Sequence, residues 1–280
     1  MKNILLTGAS TGIGAATALY LDKQGMRVFA GVRDLADGET LSTQASPELR
    51  PVRLDITDSE SIAAAMSEVS ASTGGAGLDG LVNNAGEAFP GPLEAIPLDQ
   101  FREQLEVNVI GQVAVTHAAL PLLRQGDECG RIVFVGSVGG KGAIEFGGPY
   151  HASKFAIEAI GDVWRQELEP EGLHVSLVEP GPIATPIWRK GAQRVESLLS
   201  HPLPQVERYQ ERLRNYRENL LKAGEHAGSP EDVAKIIEKA LTSRRPSSRY
   251  QVGASARAAT LVRPLVPDRL YDVVARQASR

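Results

Sequence analysis

The chain has little cysteine, no excess of positive charge and no long apolar run near its start. Its 280 residues include one cysteine, Cys129, which excludes a disulfide within the chain and suits a reducing compartment. The apolar run Ile4-Leu5-Leu6 is far shorter than the roughly 18 residues that span a bilayer. A net charge of −4 does not provide the basic surface expected of a nucleic-acid-binding domain. We therefore expect a soluble, cytoplasmic protein that binds no nucleic acid, with Cys129 as a small apolar residue.

The sequence also lacks a Pro/Gly/Ser-rich linker and an internal repeat, so residues 1–280 are interpreted as one domain. Short apolar runs, most of them apolar on both faces, alternate with helical patterns such as 15–24 and 59–73. The runs are 3–6, 27–31, 51–54, 78–82, 131–135 and 174–178. This alternation predicts an α/β fold with a parallel sheet covered by helices on both faces.

The alternation stops after Pro180, and residues 186–228 form a charged stretch without a strand run. We interpret this stretch as a helical insertion over the carboxyl ends of the strands, where open α/β sheets bind ligands. A solvated helical pair with no role as a lid is the alternative. Trp188 and His201 lie in or beside this stretch, either as substrate contacts or as exposed residues.

A glycine-rich turn follows the first predicted strand and opens the first helix. It reads Thr7-Gly8-Ala9-Ser10-Thr11-Gly12-Ile13-Gly14. Glycines let a diphosphate approach the backbone N–H groups, and the helix N-terminus adds favourable potential. A purely structural strand–helix junction is the alternative, since such junctions often contain glycine.

The end of the second predicted strand bears on the type of nucleotide. An acidic residue there would bind an adenosine ribose 2′-OH, whereas a cationic one would bind a 2′-phosphate. Here Gly31 and Val32 carry no carboxylate, and Arg33 supplies a guanidinium. This favours NADP(H), with NAD(H) as the alternative. Asp34 is the residue that could overturn this interpretation, by pairing with Arg33 or by capping the next helix.

Tyr150 and Lys154 are four residues apart at the start of a predicted helix and so share one helix face. A cation about 4 Å from the phenol contributes on the order of 4 kcal/mol at an effective dielectric of about 20. We therefore expect Lys154 to lower the pKa of Tyr150 toward the neutral range, where a tyrosine can transfer protons. Ser137 ends the fifth predicted strand and can hold a carbonyl oxygen. Alone, Ser137 is more typical of a turn residue that bonds its own backbone.

The whole pattern resembles the short-chain dehydrogenase/reductase family. The matching motifs occur in family order over about residues 3–185: the glycine turn, Asp55, Asn83-Asn84-Ala85-Gly86, Asn108, Ser137, Tyr150 with Lys154, and Pro180-Gly181. The resemblance implies a Rossmann-like, three-layer, doubly wound sheet of seven parallel strands, the last at residues 250–252. It also implies proton transfer to the substrate oxygen by Tyr150 as hydride passes between nicotinamide and carbon.

By that resemblance, each motif has a role. The catalytic residues are Asn108, Ser137, Tyr150 and Lys154. Asn108 bends its helix and binds a water that links Lys154 to solvent; without the resemblance it would be an ordinary polar helix residue. The cofactor-binding residues are Gly8, Ser10, Thr11, Gly12, Ile13, Gly14, Arg33, Asp55, Ile56, Asn83, Ala85, Gly86, Tyr150, Lys154, Pro180, Gly181, Ile183 and Thr185. No metal ligand is expected.

The segments around Ser137 and Tyr150 resemble the branch that holds 17β-hydroxysteroid dehydrogenase type 1 and the retinol dehydrogenases. This resemblance implies a bulky, apolar alcohol or ketone as substrate. A 3-oxoacyl-thioester reductase and a non-catalytic, cofactor-sensing binding protein remain as alternatives.

The C-terminal extension, residues 255–280, is predicted to be helical, and the chain from residue 243 onward is rich in arginine. Such a face more often packs on its own core or on a subunit, although peripheral contact with an anionic membrane is the alternative. The family resemblance implies a homodimer or homotetramer.

Overall fold

The computed structural model describes residues 1–126, 130–200 and 203–278 and contains a seven-stranded sheet. All neighbouring strands are parallel, in the order β3-β2-β1-β4-β5-β6-β7. Cys129 and His201 lie outside the described residues. The strands are β1 Asn3–Thr7, β2 Arg27–Val32, β3 Leu49–Arg53, β4 Gly80–Asn83, β5 Arg131–Val135, β6 His174–Pro180 and β7 Arg249–Val252.

Helices cover both faces of the sheet, which confirms the predicted three-layer, doubly wound fold. A π-helical segment, Glu106–Ile110, joins the fourth helix to the fifth. The helices are α1 Gly12–Lys23, α2 Leu35–Ser42, α3 Ser59–Thr73, α4 Leu98–Leu105, α5 Gly111–Leu123, α6 Gly148–Leu168, α7 Ile187–Ser200, α8 Pro204–Glu207, α9 Gln210–Glu225, α10 Pro230–Thr242, α11 Ala254–Val262 and α12 Asp268–Ala278.

The core lies in two apolar layers because successive side chains of a strand point to opposite faces. In β1, Leu5 packs in the layer beneath α3, α5 and α6, whereas Ile4 and Leu6 pack in the layer beneath α1 and α10. All three are fully buried, and each contributes about 1.5–3 kcal/mol relative to an exposed side chain. The two layers hold the strand ends in fixed positions for the side chains that follow them.

The segment Leu98–Leu123, which includes α4, the π-helical turn and α5, is long and apolar enough to cross a membrane by length and composition. Half of its most apolar window is buried within the protein. It contacts α3, α6 and β4. These contacts are those of a core helix.

The inserted helices α7 and α9 pack on each other and form a small apolar cluster with residues of the main domain. Val195 of α7 and Leu213 of α9 are fully buried there, beside Phe146. Phe146 has a φ of 64°, a left-handed conformation that bulky residues rarely adopt. The ion pair of Arg212 with Glu145 (3.0 Å) adds a further link between α9 and the main domain.

The C-terminal helices leave apolar side chains in solvent. Leu261, Leu265 and Leu270 are 72%, 82% and 55% exposed. Packing of these side chains on the chain's own core, one of the sequence-based interpretations, is therefore wrong for these three residues. Tyr271 is half-buried: its hydroxyl lies beside Gly142, and the Arg263 guanidinium is 4.4 Å from the centre of its ring.

Candidate active site

One cleft of about 840 Å³ lies at the carboxyl ends of the central strands. It includes the ends of β1, β2, β4, β5 and β6. The chain adds β2 and β3 on one side of β1 and β4 to β7 on the other, so the cleft lies where the direction of strand addition reverses. This is the region in which open α/β sheets bind their ligands.

The glycine turn forms one end of the cleft, and its glycines are required by close packing. Gly8 and Gly12 have φ values of 69° and 59°. A Cβ on Gly14 would lie 2.0 Å from the carbonyl oxygen of Gly8, so only glycine fits there. The amide nitrogen of Asn84 donates to the carbonyl oxygens of Thr7 (3.0 Å) and Gly8 (3.1 Å). These contacts hold the turn in one conformation.

Helix α1 begins inside this turn, and Ser10, Thr11, Gly12 and Ile13 line the cleft. The Thr11 hydroxyl does not cap the helix. Because the first N–H groups of a helix have no partner within it, they are left to bind a ligand at this end of the cleft. The turn therefore fits the diphosphate of a dinucleotide.

The end of β2 brings Arg33 to the same cleft. Its side chain is 68% exposed, and its guanidinium lies 3.6 Å from the carboxylate of Glu87. Asp34 caps α2 by accepting a hydrogen bond from the backbone N–H of Ala36 (3.0 Å). Asp34 thus takes the helix-capping role, and Arg33 faces the cleft.

Asp55 follows β3 and lines the cleft together with Ile56. Burial raises the pKa of the Asp55 carboxyl, but hydrogen bonds from Thr57 and the charge of Arg33 outweigh it, so the pKa is lowered overall. The carboxylate accepts from the backbone N–H (2.9 Å) and the hydroxyl (2.7 Å) of Thr57. These bonds hold the loop that follows β3, in which Asp55, Ile56 and Thr57 all line the cleft.

The structure places Asn83 away from the cleft, unlike the other predicted site residues. Asn83 is the last residue of β4, fully buried, and its amide donates to the Thr116 hydroxyl of α5 (2.9 Å). Asn84 lines the cleft instead. The prediction for the side chain of Asn83 is therefore wrong, because adjacent residues at a strand end point in opposite directions. The predicted residues that line the cleft are Gly8, Ser10, Thr11, Gly12, Ile13, Gly14, Arg33, Asp55, Ile56, Ala85, Gly86, Asn108, Ser137, Tyr150, Lys154, Pro180, Gly181, Ile183 and Thr185.

Ser137 and Tyr150 meet in the wall of the cleft. Ser137 follows β5, and its hydroxyl accepts from the backbone N–H of Gly139 (3.0 Å). The Ser137 hydroxyl and the Tyr150 ring both lie against Gly139, where an added Cβ would be 3.3 Å from the hydroxyl and 3.0 Å from the ring. Ser137 therefore bonds the backbone of its own turn and also faces the site, so its interpretation as a turn residue is compatible with a role in holding a carbonyl oxygen. A carbonyl oxygen placed between the two hydroxyl groups could accept a hydrogen bond from each.

Lys154 is buried beside them, but it does not act on Tyr150 as expected. Its ammonium donates to the carbonyl oxygen of Val135 (2.8 Å) and lies 5.8 Å from the centre of the Tyr150 ring. Burial raises the pKa of Tyr150, and the neighbouring Ser137 hydroxyl opposes that change only in part. The expected lowering is therefore wrong, because burial of the phenol disfavours its charged form. Tyr150 holds its proton at neutral pH.

Asn108 connects the loop after β4 to helix α6. It is fully buried in the π-helical segment, and π-helical turns are frequent at functional sites. Its amide nitrogen donates to the carbonyl oxygen of Glu87 and to the Ser153 hydroxyl, both at 3.0 Å. The Ser153 hydroxyl in turn donates to the carbonyl oxygen of Tyr150 (2.7 Å). Asn108 thus supports the backbone that carries Tyr150.

The remaining wall of the cleft comes from the inserted helices. Trp188 lines it, and its indole N–H donates to the carbonyl oxygen of Ile183 (2.6 Å). Sequence reasoning missed Tyr216 of α9, whose burial raises its pKa to about 12. It also gave no role to His151, which borders Tyr150 with one ring nitrogen 2.9 Å from the carbonyl oxygen of Gly139. Tyr216 stands in a stretch of mixed charges, and this pattern does not indicate that its side chain lines the cleft.

The charge of Lys154 predicts a pH dependence. Burial lowers its pKa to about 8, so the ammonium is charged below that pH and neutral above it. Tyr150, whose pKa is raised, stays protonated over the same range. We therefore expect the turnover number for carbonyl reduction to be level below about pH 8 and to fall as pH rises through it.

A pH profile of turnover checks this expectation, with Lys154→Arg as the comparison. Arginine keeps its charge at all accessible pH values, so the decline near pH 8 should disappear from its profile, whatever its absolute rate. An unchanged decline in that variant would assign the titration to another group.

Comparison with known proteins yields one family and several relatives. Residues 2–196 match the family model described as short chain dehydrogenase. The chain is 37% identical to 17-beta-hydroxysteroid dehydrogenase type 6 of Bos taurus, over 98% of this chain and 87% of that protein. It is also 37% identical to retinol dehydrogenase 5 of Mus musculus, over 97% and 86%. A solved short-chain dehydrogenase from Burkholderia cenocepacia in complex with NADP is 26% identical, with a TM-score of 0.73 over 97% of this chain and 98% of that one.

Proposed function

Because the chain belongs to the short-chain dehydrogenase/reductase family of oxidoreductases acting on CH–OH groups, we propose that it transfers a hydride between NADP(H) and a bulky, apolar ketone or secondary alcohol. One observation carries the proposal: the neighbouring Ser137 and Tyr150 share a cleft with the glycine turn. A proton donor and a turn that would bind the dinucleotide thus line one cleft, in which substrate and cofactor could lie side by side.

The cofactor would lie along the ends of the strands. The turn at Gly8, Gly12 and Gly14 would bind its diphosphate, and Arg33 would bind the 2′-phosphate. Asp55 and Ile56 would border the adenine, Ala85 and Gly86 the ribose, and Pro180, Gly181, Ile183 and Thr185 the nicotinamide. When bound, NADPH supplies the hydride. The solved relative from Burkholderia cenocepacia, in complex with NADP, supports this choice of cofactor.

In the direction of reduction, Tyr150 would donate its proton to the oxygen that gains charge, and Ser137 would hold that oxygen in place. The raised pKa of Tyr150 favours this role, because a protonated phenol is an acid at neutral pH. The buried charge of Lys154 would stabilise the phenolate that remains. Asn108 would support this end of α6, as its hydrogen bonds to Glu87 and Ser153 suggest.

The proposed substrate class rests on the apolar wall and on the relatives. Val138, Ile144, Trp188 and Leu220 line the part of the cleft beside Tyr150 and the inserted helices. The names of two relatives refer to hydroxysteroids and to retinol, which are bulky, apolar molecules. An apolar molecule that fills this wall would gain about 25 cal/mol for each Å² it removes from water.

A two-step measurement tests the proposal. Fluorescence titration with NADPH and NADH identifies the preferred cofactor, and a panel of carbonyl compounds then defines the substrate class. We expect tighter NADPH binding and fastest reduction of bulky, apolar ketones. Fastest reduction of 3-oxoacyl thioesters would instead indicate an acyl-thioester reductase, and cofactor binding without reduction of any compound would indicate a binding protein.

Replacement of Arg33 by alanine tests the choice of nucleotide. We expect the Kd for NADPH to rise about tenfold or more, because a charge-assisted bond to the 2′-phosphate is lost, while the Kd for NADH stays the same. Arg208→Ala is a matched control: Arg208 is also 68% exposed and is 3.9 Å from a carboxylate, that of Glu94. Equal losses of NADPH and NADH affinity in Arg33→Ala would contradict the 2′-phosphate assignment.

We further propose a cytoplasmic homodimer or homotetramer. The exposed Leu261, Leu265 and Leu270 would suit an interface between subunits. Light scattering of the purified protein measures the assembly, and sedimentation with anionic liposomes tests the membrane alternative.

A further inference from the structure

A cluster of charged side chains lies next to the catalytic residues, outside the set of residues that line the cleft. Glu158 follows Tyr150 and Lys154 on the same face of α6, each four residues from the last. Glu179 is fully buried on β6, next to Pro180. Two carboxylates that are this strongly buried require cationic partners, because an unpaired buried charge is strongly destabilising.

Lys141 supplies one of those partners. Its ammonium lies 2.5 Å from the carboxylate of Glu158 and 3.1 Å from that of Glu179, and its side chain is 20% exposed. Lys141 ends the short 3₁₀ turn, Val138–Gly140, that begins after Ser137. It thus joins that turn to both α6 and β6.

Arg249 of β7 supplies the other partner. Its Nε lies 3.1 Å from Glu158 and 3.2 Å from Glu179, and its outer nitrogens form two hydrogen bonds with Asp162 (2.8 and 3.0 Å). Around this centre, Gln251 donates to Glu179 (3.0 Å), and Arg165 pairs with Asp162 (3.2 Å). The cluster therefore links the turn after Ser137, α6, β6 and β7.

The packing of the turn shows how tightly it is held. A Cβ on Gly140 would lie 2.9 Å from the carbonyl oxygen of Lys154 and 3.0 Å from Cγ of Glu158. A Cβ on Gly139 would lie 3.0 Å from the Tyr150 ring and 3.3 Å from the Ser137 hydroxyl. The backbone after Ser137 is thus pressed against α6, and Lys141 is the charged contact that holds it there.

We propose that Lys141 is a positioning residue: bound between Glu158 and Glu179, it holds the turn after Ser137 against α6, so that the Ser137 and Tyr150 hydroxyl groups meet at the substrate oxygen. This role rests on the proposed function. Lys141 is outside the cleft lining and acts through the backbone of its turn. Loss of this contact would misplace Ser137 and leave the glycine turn, at the other end of the cleft, intact.

Glu158 has a second effect, on the charge of Lys154. Burial lowers the pKa of Lys154, and the negative charge of Glu158 opposes that change. Without that charge, Lys141 and Arg249 would keep Glu179 and Asp162 as partners, but Lys154 would lose the negative charge that favours its ammonium. Replacement of Glu158 by glutamine should therefore favour the neutral form of Lys154.

The experiment compares Lys141→Met with Lys141→Arg in NADPH-dependent ketone reduction. We expect at least a tenfold loss of kcat in Lys141→Met, with the Kd for NADPH within about threefold of the wild type. Lys141→Arg, which keeps the charge, should recover most of kcat. Arg124→Met is the matched control, since it removes a cation that pairs with Glu171 (2.6 Å) on the surface, and it should leave kcat unchanged.

A second variant keeps the proposal open to refutation if Lys141→Met does not fold. Glu158→Gln removes a carboxylate that binds Lys141, so its kcat should also fall at least tenfold with the Kd for NADPH within about threefold of the wild type. Its decline of turnover near pH 8 should in addition move to lower pH, because Lys154 loses the charge of Glu158. Full kcat in a folded Lys141→Met, or full kcat in Glu158→Gln if Lys141→Met does not fold, would overturn the positioning role; an unmoved pH decline in Glu158→Gln would overturn the effect of Glu158 on Lys154. Failure of the wild type to reduce any carbonyl would instead refute the proposed function.

Discussion

Replacement of Tyr150 by phenylalanine is expected to lower the turnover number for ketone reduction at least about a hundredfold, the lower end of what a positioned proton donor supplies. The phenol is a proton donor that lies beside Ser137, and burial raises its pKa so that it is protonated at neutral pH. Phenylalanine keeps the ring and removes the proton. Steady-state kinetics with the best ketone of the panel measures the loss.

The cofactor should still bind to this variant, because the glycine turn and Arg33 are unchanged. The Kd for NADPH, from fluorescence titration, should stay within about threefold of the wild type, less than 1 kcal/mol. Tyr20→Phe, which removes a phenol from α1, is the control and should keep full turnover. Near-normal turnover in Tyr150→Phe would refute the assignment of the proton donor.

Replacement of Gly14 by alanine should have the largest effect on the cofactor-binding turn. The added Cβ would lie 2.0 Å from the Gly8 carbonyl oxygen and 2.6 Å from the Asn84 amide nitrogen, so the backbone of the turn must move. We expect the protein to be destabilised by about 2 kcal/mol or more, within the usual range for overpacking. The Kd for NADPH should rise more than tenfold.

Chemical denaturation and NADPH titration measure the two effects. Gly191→Ala is the control for stability, because Gly191 lies in a helix, α7, where an added Cβ would meet its nearest atom at an ordinary 3.5 Å. That variant should be as stable as the wild type or slightly more so, since alanine favours helices. A Gly14→Ala variant with unchanged stability and NADPH affinity would contradict the close packing of the turn.

The pattern of apolar residues predicted six of the seven strands of the sheet, and the family resemblance supplied the last, β7. Six strand runs and the helix at residues 59–73 are confirmed, because buried parallel strands and their covering helices have distinct periodicities. The boundaries were less accurate: β3 begins at Leu49, two residues before the predicted run, and β6 extends to Pro180. Where a strand ends depends on its hydrogen bonds to neighbouring strands, and the apolar pattern of one strand carries no information about those bonds.

The candidate site was predicted in part, and the misses have physical causes. Spacing places Tyr150 and Lys154 on one helix face, but the raised pKa of Tyr150 depends on burial by residues from other elements. Asn83 and Asn84 are adjacent residues of the same type at the end of β4, and the sequence does not show which of the two side chains points toward the cleft. The cluster of Lys141, Glu158, Glu179 and Arg249 unites residues from four elements, so no local pattern indicates it.

Transfer of a labelled hydride tests the central claim most directly. The wild type and Tyr150→Phe are each incubated with a bulky, apolar ketone and NADPH deuterated at both C4 positions, and mass spectrometry measures deuterium in the alcohol. We predict one deuterium on the carbinol carbon with the wild type and at least a hundredfold less labelled product, at equal times, with the variant. Bound NADPH without labelled alcohol in the wild type, or equal labelling by the two proteins, would contradict the account.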